Sequence, residues 1–443
     1  MSSEVPAPPT RARYTLAAWL CGLTSILYLD RICMSQAVKP ISDELELSKP
    51  EMSYVLMSFT IAYGLFAVPA GWLGDKLGPR LMLAVLVAVW SCFTAATGLA
   101  ESLAMLIAVR FLFGMAEAGA FPNVARVMSH WFPLSERGRV QGIMLSFAQV
   151  GAIVAPPTTA YLIEVVGWRW VFGIFGIIGA VWAGGFWLWF RDDPAHHPRV
   201  NASELAEIHA ALLPPPADAG PVPWKAVLTN RGIIVLAVIM IFGAFFTYFF
   251  YSWFPTYLID ARNVNNVTAG WLNSLAIGGS AIGMLFGGWL SDRITRLSTN
   301  PMRNRRYLCM GGFLIAAVCM YIGTRCESAF ATASLWSAAM CAMHVQLPNW
   351  WSAIIPQAGR HVGTIFGLTN GVGVFGAVAS QGFVGWFADY QEKTRGLTGR
   401  DAWDPIFDVY VVVLLCGAVA WWCYRFTPLE EKPTDIADPR TAG

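Results

Sequence analysis

Charged residues are scarce in this chain, and their scarcity excludes the common classes of soluble protein. Only 13% of the 443 residues are Asp, Glu, Lys or Arg, whereas soluble domains carry about 25%. Hydrophobic residues make up 56% of the chain, and its mean hydropathy is +0.50. The net charge of +2 is too small to indicate a polyanionic partner. The composition therefore excludes a soluble enzyme and a nucleic-acid-binding protein.

Sequence motifs for metals, cofactors and catalysis are also missing. The nine cysteines form no Cys-x-x-Cys pair and lie mostly within apolar segments, so we interpret them as small hydrophobic residues. Gly371–Gly376 matches a dinucleotide-binding fingerprint by letter, but it lies inside an apolar run without a preceding strand. The sequence has no nucleotide-binding loop, zinc motif or nucleophile elbow. We therefore expect no cofactor, no metal, no enzymatic activity and no transport driven by ATP.

Long apolar runs, such as Leu81–Leu99 and Ile233–Phe250, are what the sequence has instead. A run of about 18 or more residues predicts a membrane-spanning helix, because about 20 residues rising about 1.5 Å each cross the hydrocarbon layer. We predict an all-α membrane protein whose twelve transmembrane helices form two six-helix bundles. The predicted spans lie at about 14–37, 52–73, 81–100, 103–128, 140–163, 168–190, 232–256, 268–291, 307–325, 329–353, 362–388 and 406–426.

The two predicted bundles, residues 14–190 and 232–426, are joined by a polar linker at 191–231. The linker contains Pro214-Pro215-Pro216, and tails cover residues 1–13 and 427–443. The first tail lacks an apolar core with a cleavage site, so it is not expected to be a signal peptide. Most of the 30 lysines and arginines fall in segments that are cytoplasmic if the N-terminus is inside. We therefore predict a multi-pass protein of the cell membrane with both termini in the cytoplasm.

A short internal repeat relates the two halves. Gly71–Lys76 (GWLGDK) recurs as Gly288–Arg293 (GWLSDR), and each copy ends the second helix of its half. Many secondary transporters consist of two homologous halves with a substrate site between them near the middle of the membrane.

The repeat belongs to a longer motif that resembles the signature of the major facilitator superfamily. Gly71–Arg80 (GWLGDKLGPR) is similar to its loop between helices 2 and 3, and Arg110-x-x-x-Gly114 is similar to its fourth-helix motif. Other motifs resemble the anion:cation symporter branch, which includes sugar-acid and phthalate permeases and sialin-like carriers. These are Tyr28–Arg31 (YLDR), Glu117–Pro122 (EAGAFP), Trp131–Pro133 (WFP), Gly167–Phe172 (GWRWVF), Trp253–Leu258 (WFPTYL) and Gly367-x-x-Asn370.

The resemblance covers about residues 14–426 and implies the major facilitator fold. It also implies that Asp75 helps to hold the cytoplasmic side shut through contacts between the halves. The proposed gate residues are Gly71, Asp75, Lys76, Arg80, Asp292 and Arg293. The fifth helix has Gly151–Pro157 (GAIVAPP) where antiporters have Gly-Pro-x-x-Gly-Gly, which favours symport.

Four ionisable residues lie away from the ends of the predicted spans: Asp30, Arg31, Arg110 and Glu117. Such groups cost several kcal/mol in a membrane unless they are paired or face water. Their charges sum to zero, which indicates mutual pairing, and we expect Arg110 to hold Asp30. The resemblance implies that Arg31 contacts the anion, and its planar fork suits a carboxylate. Alternatively, the four charges only hold the N-terminal half together.

Several other polar or aromatic residues lie at a similar depth. The resemblance places Tyr28, Tyr63, Gln149, Trp350 and Asn370 along the substrate cavity, and Asn349 lies beside them. Each could instead make a helix–helix hydrogen bond or pack as an aromatic residue. His344 is either a proton relay or a structural residue. Glycines recur every four residues at Gly363, Gly367 and Gly371 and at Gly279, Gly283 and Gly287, which predicts two close helix-packing faces.

The predicted function is uptake of a small organic anion together with protons, by alternating access between the two halves. A sugar acid or a related carboxylate is the expected substrate. Glu117, with Asp30 and Arg110, is expected to couple transport to protons. The partners are the anion, the proton and the lipid bilayer, and a single copy of the chain is expected to function. Alternatives are a uniporter or exchanger on the same fold, a membrane sensor that binds the anion without moving it, and a membrane-embedded enzyme.

Overall fold

A computed structural model of the chain describes residues 8–210 and 222–429. Within these ranges every regular element is a helix, which confirms the predicted all-α class. The triple proline of the linker and most of both tails lie outside the described residues.

Seven helices build the N-terminal half. The fourth predicted span is two helices, α4 and α5, interrupted at Ala118 and Gly119. The seven helices are α1 (Ala12–Glu44), α2 (Lys49–Leu77), α3 (Pro79–Thr97), α4 (Leu103–Glu117), α5 (Ala120–Trp131), α6 (Leu134–Val166) and α7 (Trp168–Trp189).

Two short α-helices lie in the described part of the linker, before the eight α-helices of the C-terminal half. The linker helices are α8 (Ala202–Ala210) and α9 (Trp224–Thr229). The others are α10 (Arg231–Ser252), α11 (Phe254–Arg262), α12 (Asn266–Leu297), α13 (Pro301–Arg325), α14 (Ala329–His344), α15 (Gln346–Ala358), α16 (Val362–Lys393) and α17 (Arg400–Cys423).

The count of twelve spans is confirmed. Among the described residues, 11 helices are long and apolar enough to cross a membrane, with α4 and α5 counted together. The twelfth span is the pair α14 and α15, whose 16 and 13 residues are separated by Val345 alone. The fourth span of each half is therefore broken, after Glu117 in one half and after His344 in the other.

Local sequence explains where several helices begin and turn. Ser48 and Glu51 form a capping box at the start of α2, with the Ser48 N–H donating to the Glu51 carboxylate at 2.8 Å. Gly78 and Gly167 have φ values of 82° and 80°, which favour glycine, and they allow α2 to turn into α3 and α6 into α7. These turns keep consecutive helices antiparallel.

The first part of the predicted linker lies against the N-terminal half. Glu204 of α8 is fully buried and accepts hydrogen bonds from the backbone N–H groups of Ala12 and Arg13, each at 3.1 Å. A carboxylate at the N-terminus of α1 satisfies N–H groups that have no partner within the helix. Asp192 accepts the backbone N–H of Arg80 at 2.7 Å in the same way, near the start of α3.

The two halves meet mainly through α2 against α16 and α6 against α12. We call the side that carries both chain ends the terminal face and the opposite side the far face. On the far side, the Ser53 hydroxyl donates to the Gln381 carbonyl at 3.0 Å and the Ser274 hydroxyl to the Ile153 carbonyl at 2.6 Å. Towards the terminal face, Gly363 and Gly367 of α16 face open space. The molecule is therefore closed at the far face and open at the terminal face.

The two predicted glycine faces have different outcomes. A Cβ at Gly279 or Gly283 would lie 2.1 Å from a carbonyl oxygen of α14, so this face packs closely, as predicted. The prediction for Gly363, Gly367 and Gly371 is wrong in this conformation. A Cβ added at any of these glycines would have no atom of another element within 4 Å. That stretch of α16 borders the open side.

Candidate functional site

The centre of the candidate site is a buried ion pair between Arg31 of α1 and Glu117 of α4. The Arg31 Nε lies 2.9 Å from Glu117 Oε1, and Arg31 Nη2 also donates to that oxygen. Only 10% of the Arg31 side chain and none of the Glu117 side chain is exposed. Glu117 is the last residue of α4, so the break in this span places its carboxylate beside α1.

Three aromatic rings surround the guanidinium of Arg31. Its central carbon lies 5.3 Å from the ring centroid of Tyr28, 5.4 Å from that of Phe59 and 4.6 Å from that of Tyr63. Tyr28 and Arg31 are three residues apart and share a face of α1, as the helical spacing predicts. Cation–π attraction holds the charge while leaving its hydrogen-bonding edge available to a carboxylate.

Asp30 of α1 and Arg110 of α4 do not form the predicted direct pair. Both are buried, and among the described residues neither oxygen of Asp30 and neither Nε nor Nη1 of Arg110 has a hydrogen-bond partner. Arg110 instead lies over the ring of Phe113, 4.4 Å from its centroid. The charge of Arg110 still acts on Asp30, but through space and without a contact.

The C-terminal half completes a small cavity around Arg31. Its contributions are Tyr248, Tyr251 and Ser252 of α10 and Gln381 of α16, which face Arg31, Met34, Leu56 and Phe59. Sequence reasoning missed all four C-terminal residues. Polar side chains at mid-span in α10 and α16 were the available signal, since such groups need a partner or water.

Gln381 links the two halves beside this cavity. Its side-chain oxygen accepts the Thr60 hydroxyl of α2 at 2.9 Å, and its side-chain nitrogen donates to the Ser252 hydroxyl at 3.0 Å. Its backbone carbonyl also accepts the Trp253 indole N–H at 3.0 Å. Gln381 therefore ties the cavity to the closed far side.

Two predicted substrate ligands lie within the packing of the C-terminal half. Trp350 is fully buried, and its indole N–H donates to the Leu236 carbonyl at 3.0 Å. Asn349 is also fully buried and donates to the Val345 carbonyl at 2.8 Å and to the Gly287 carbonyl of α12 at 3.5 Å. The buried face of α15 turns towards α10 and α12, so neither side chain reaches the cavity in this conformation. The helix–helix alternative describes both residues.

The other predicted cavity residues have mixed positions. Tyr28 and Tyr63 contact Arg31. Asn370 of α16 is exposed, on the stretch that borders the open side. Gln149 of α6 lies across the interface, with its side-chain nitrogen 3.5 Å from the sulfur of Met284 in α12. His344 is buried at the end of α14, with Nδ1 2.8 Å from the Met340 carbonyl.

The predicted gate residues make their contacts within the N-terminal half. Asp75 of α2 pairs with Arg126 of α5, and Arg80 donates to the Trp187 carbonyl at 2.8 Å and 3.1 Å. The Lys76 ammonium lies 3.9 Å from the centroid of the Trp72 ring. The predicted contact between halves through Asp75 is not formed here, because the halves are separated at the terminal face.

The remaining gate residues make similarly local contacts. A Cβ at Gly71 would lie 3.2 Å from Pro122 of α5. In the second repeat, Arg293 lies 5.5 Å from the centroid of the Trp289 ring, and Asp292 lies within the electrostatic range of Arg305. The gate role of the two repeats therefore stays a prediction for the other conformation.

The molecule combines a broken fourth span in each half, a repeat at the end of each second helix and a buried charged pair of the N-terminal half beside a cavity that both halves line. Residues 20–381 match the Major Facilitator Superfamily. The chain belongs to that superfamily. The predicted resemblance is thereby confirmed, and the protein is a multi-pass membrane transporter.

Relatives within the superfamily match most of the chain. A probable sulfoacetate transporter of Cupriavidus necator is 31% identical over 83% of this chain and 86% of its own length. A probable galactarate/D-glucarate transporter of Bacillus subtilis is 30% identical, over 94% of this chain and 95% of its own. A probable L-galactonate transporter of Escherichia coli is 29% identical, over 99% and 96% respectively.

A solved structure supports the fold. A bacterial homologue of the human lysosomal transporter Spinster superposes with a TM-score of 0.78, covering 97% of this chain and all of its own. The two sequences are 19% identical, so this likeness concerns the fold alone.

Proposed function

We propose that the protein is a proton-coupled symporter that takes up a small organic anion, a sugar acid or a related carboxylate, by alternating access. It acts in the cell membrane as a single copy with both termini in the cytoplasm. The terminal face is then cytoplasmic, the far face is external, and the conformation described here faces inward. The names of the relatives, all transporters of carboxylate or sulfonate anions, support the substrate class.

The observation that carries the proposal is the buried Arg31–Glu117 pair beside a cavity shared by both halves. Removing one partner from a buried pair leaves an uncompensated charge, at a cost of about 3–5 kcal/mol. A substrate carboxylate can replace Glu117 on the Arg31 guanidinium, because both present the same oxygens. Arg31 then keeps a partner, and Glu117 loses one.

Proton coupling follows from that exchange of partners. A buried carboxylate without a counter-charge binds a proton more readily, since burial disfavours its ionised form. Anion binding to Arg31 therefore promotes protonation of Glu117, and linkage requires that the proton promote anion binding equally. Asp30, whose carboxylate oxygens have no hydrogen-bond partner among the described residues, is the second proton carrier. The positive charge of Arg110 acts on the Asp30 carboxylate through space.

Replacing Glu117 by Gln tests the proposal, because glutamine is a permanent mimic of the protonated acid. In proteoliposomes, we expect Glu117→Gln to retain exchange of anion across the membrane but to lose accumulation driven by a pH gradient. The anions to be tried are D-glucarate, L-galactonate and sulfoacetate. Glu164→Gln, at an exposed position of α6, is the matched control and should accumulate anion like the wild type.

Each result has a defined meaning. Full accumulation by Glu117→Gln contradicts its role as proton carrier. Exchange by a wild type that never accumulates anion against a pH gradient indicates an exchanger or uniporter. Binding of an anion without any exchange indicates a sensor.

A further inference from the structure

A cluster of four charged residues closes the far face, and we call it the outer cluster: Lys39, Lys49, Asp260 and Glu392. The Lys49 ammonium lies 2.6 Å from Glu392 and 3.6 Å from Asp260. The Lys39 ammonium lies 3.7 Å from Asp260 and 2.7 Å from Asp43 on its own helix. The four residues border a surface cavity between the halves, together with Ser42, Ser48 and Thr256.

The charges of the outer cluster are divided between the halves by sign. Both lysines belong to the N-terminal half, on α1 and at the start of α2. Asp260 of α11 and Glu392 of α16 belong to the C-terminal half. When the halves separate at the far face, each ammonium group must lose its carboxylate partner from the other half. Lys49 then loses both of its carboxylate partners, whereas Lys39 keeps Asp43 of its own helix. Both ammonium groups face the external opening on the same half that carries Arg31.

We propose that Lys39 and Lys49 form an outer carboxylate-binding site, which the chain's own Asp260 and Glu392 occupy when the far face is closed. This site rests on the proposed function, since it receives the anion before Arg31 does. Lys39 follows Arg31 by eight residues on α1, which is about 12 Å along the helix. The outer site therefore lies nearer the far face than the Arg31 site, and an anion that enters from outside reaches it first.

The outer cluster therefore couples anion capture to closure. In the outward-facing state, the two lysines attract an external anion and raise its local concentration. Once the anion has moved to Arg31, the lysines are free to bind Glu392 and Asp260, which closes the far face. Anion and gate carboxylates compete for the same two ammonium groups.

Two single substitutions distinguish an anion-binding site from an ion pair that only holds the far face closed. Lys49→Gln and Glu392→Gln both remove the same ion pair, so both should favour opening of the far face. A Val38→Cys reporter, buried at 1% exposure beside the cluster, should then react faster with a membrane-impermeant maleimide added outside. Only Lys49→Gln also removes a ligand for the anion.

The external KM for uptake distinguishes the two variants. We expect Lys49→Gln to raise KM for the transported anion about two- to fivefold, the range of a partly exposed charge interaction. Glu392→Gln should leave KM unchanged or lower it, and Lys49→Arg, which keeps the charge, should restore a low KM. The increase in Lys49→Gln should shrink as salt is added. Arg325→Gln, which loses a pair with Asp408 within the C-terminal half and lies outside the surface cavity, is the control.

The outcomes are distinct from failure of the proposed function. If Lys49→Gln and Glu392→Gln change KM in the same direction and to the same extent, the Lys49–Glu392 pair only holds the far face closed, and the outer binding site is contradicted. If neither variant changes the reactivity of the Val38→Cys reporter, the competition is contradicted. Absence of uptake by the wild type would instead contradict the proposed function.

Discussion

Arg31 shows how one residue can hold a charge in the membrane and still be available to a ligand. Three rings and one carboxylate surround it, yet a tenth of its side chain remains exposed next to the cavity. Arg110, at a similar depth, lies over Phe113 with almost no exposure. The two arginines therefore differ in access. Arg31 can exchange its partner for a substrate carboxylate, whereas Arg110 contributes a fixed charge.

Replacing Arg31 by Lys should abolish tight anion binding without unfolding the protein. Lysine keeps the charge but loses the planar fork that bonds two oxygens at once. A hydrogen bond to a charged group contributes about 1.5–3 kcal/mol, so we expect affinity to fall roughly 10- to 100-fold. Calorimetry with the transported anion checks the affinity, and a melting curve without anion checks the fold. Arg325→Lys, at an exposed position, is the matched control. Unchanged affinity in a folded Arg31→Lys variant would remove Arg31 from the anion site.

The sequence predicted some residues of the site and not others. The four intramembrane charges were visible from spacing and hydropathy, because ionisable groups in apolar spans are rare and require partners. Their pairing was only half predictable. Helical geometry placed Arg31 with Tyr28, but the rotation of α4 relative to α1 decides which arginine meets which carboxylate. For the same reason Asn349 and Trp350 could not be assigned to the cavity or the core, since only the packing of α15 decides that.

Among the helices, the interruptions matter most. The sequence predicts α4–α5 and α14–α15 as continuous spans, because hydropathy averages over the one or two residues at each break. The structure ends α4 at Glu117 and α14 at His344, so both breaks carry an ionisable residue. A break in a spanning helix is tolerated where the freed backbone groups are buried in protein or border a cavity. The two-bundle architecture was predictable from the long apolar runs and the internal repeat, whereas these breaks were not.

Because α16 approaches α2 closely at Gly385, closure of the far face depends on the absence of a side chain at this position. A Cβ at Gly385 would lie 2.0 Å from the Ser53 hydroxyl and 2.6 Å from the Lys49 carbonyl of the other half. We expect Gly385→Ala to disfavour the closed far face by about 1–3 kcal/mol, the usual cost of overpacking. Faster external labelling of the Val38→Cys reporter should reveal the shift.

The control for this substitution is Gly311→Ala in α13, where a Cβ meets nothing within 4 Å. Labelling of the reporter should be unchanged in this control. Equal labelling of Gly385→Ala and the wild type would show that α2 and α16 do not move apart beside Gly385.

For the whole molecule, external pH should bias the balance between the two conformations through Asp260. This residue lies on α11, outside the spanning helices. Burial raises the pKa of Asp260 above its usual value, against the opposing effects of Lys49 and Lys39, while Glu392 and Asp43 raise it further. In the outward-facing state Asp260 is hydrated, and its pKa returns towards the usual value. Burial of Asp260 outweighs its contacts of 3.6 and 3.7 Å with the two lysines, so the closed state binds the proton more tightly and acidification favours closure. Glu392 still holds Lys49 when Asp260 is protonated.

The sign gives a testable pH profile. The reporter thiol ionises as pH rises and so reacts faster in every variant, which makes the ratio of labelling rates, wild type over Asp260→Asn, the quantity to measure. As pH rises through the raised pKa of Asp260, the closed state should lose this contribution and that ratio should increase. Above that range the ratio should be constant, because asparagine does not titrate. Faster labelling at acidic pH in the wild type, absent from Asp260→Asn, would reverse the assigned sign.

The central claim is that anion binding to Arg31 releases Glu117 to accept a proton, and proton uptake by the purified protein tests it most directly. In weakly buffered solution, saturating wild-type protein with the transported anion should make the solution more alkaline, because protons move onto the protein. Glu117→Gln should bind the anion with a much smaller change in pH, or with none. An anion that binds the wild type without proton uptake, or uptake of the same size in Glu117→Gln, would contradict the account.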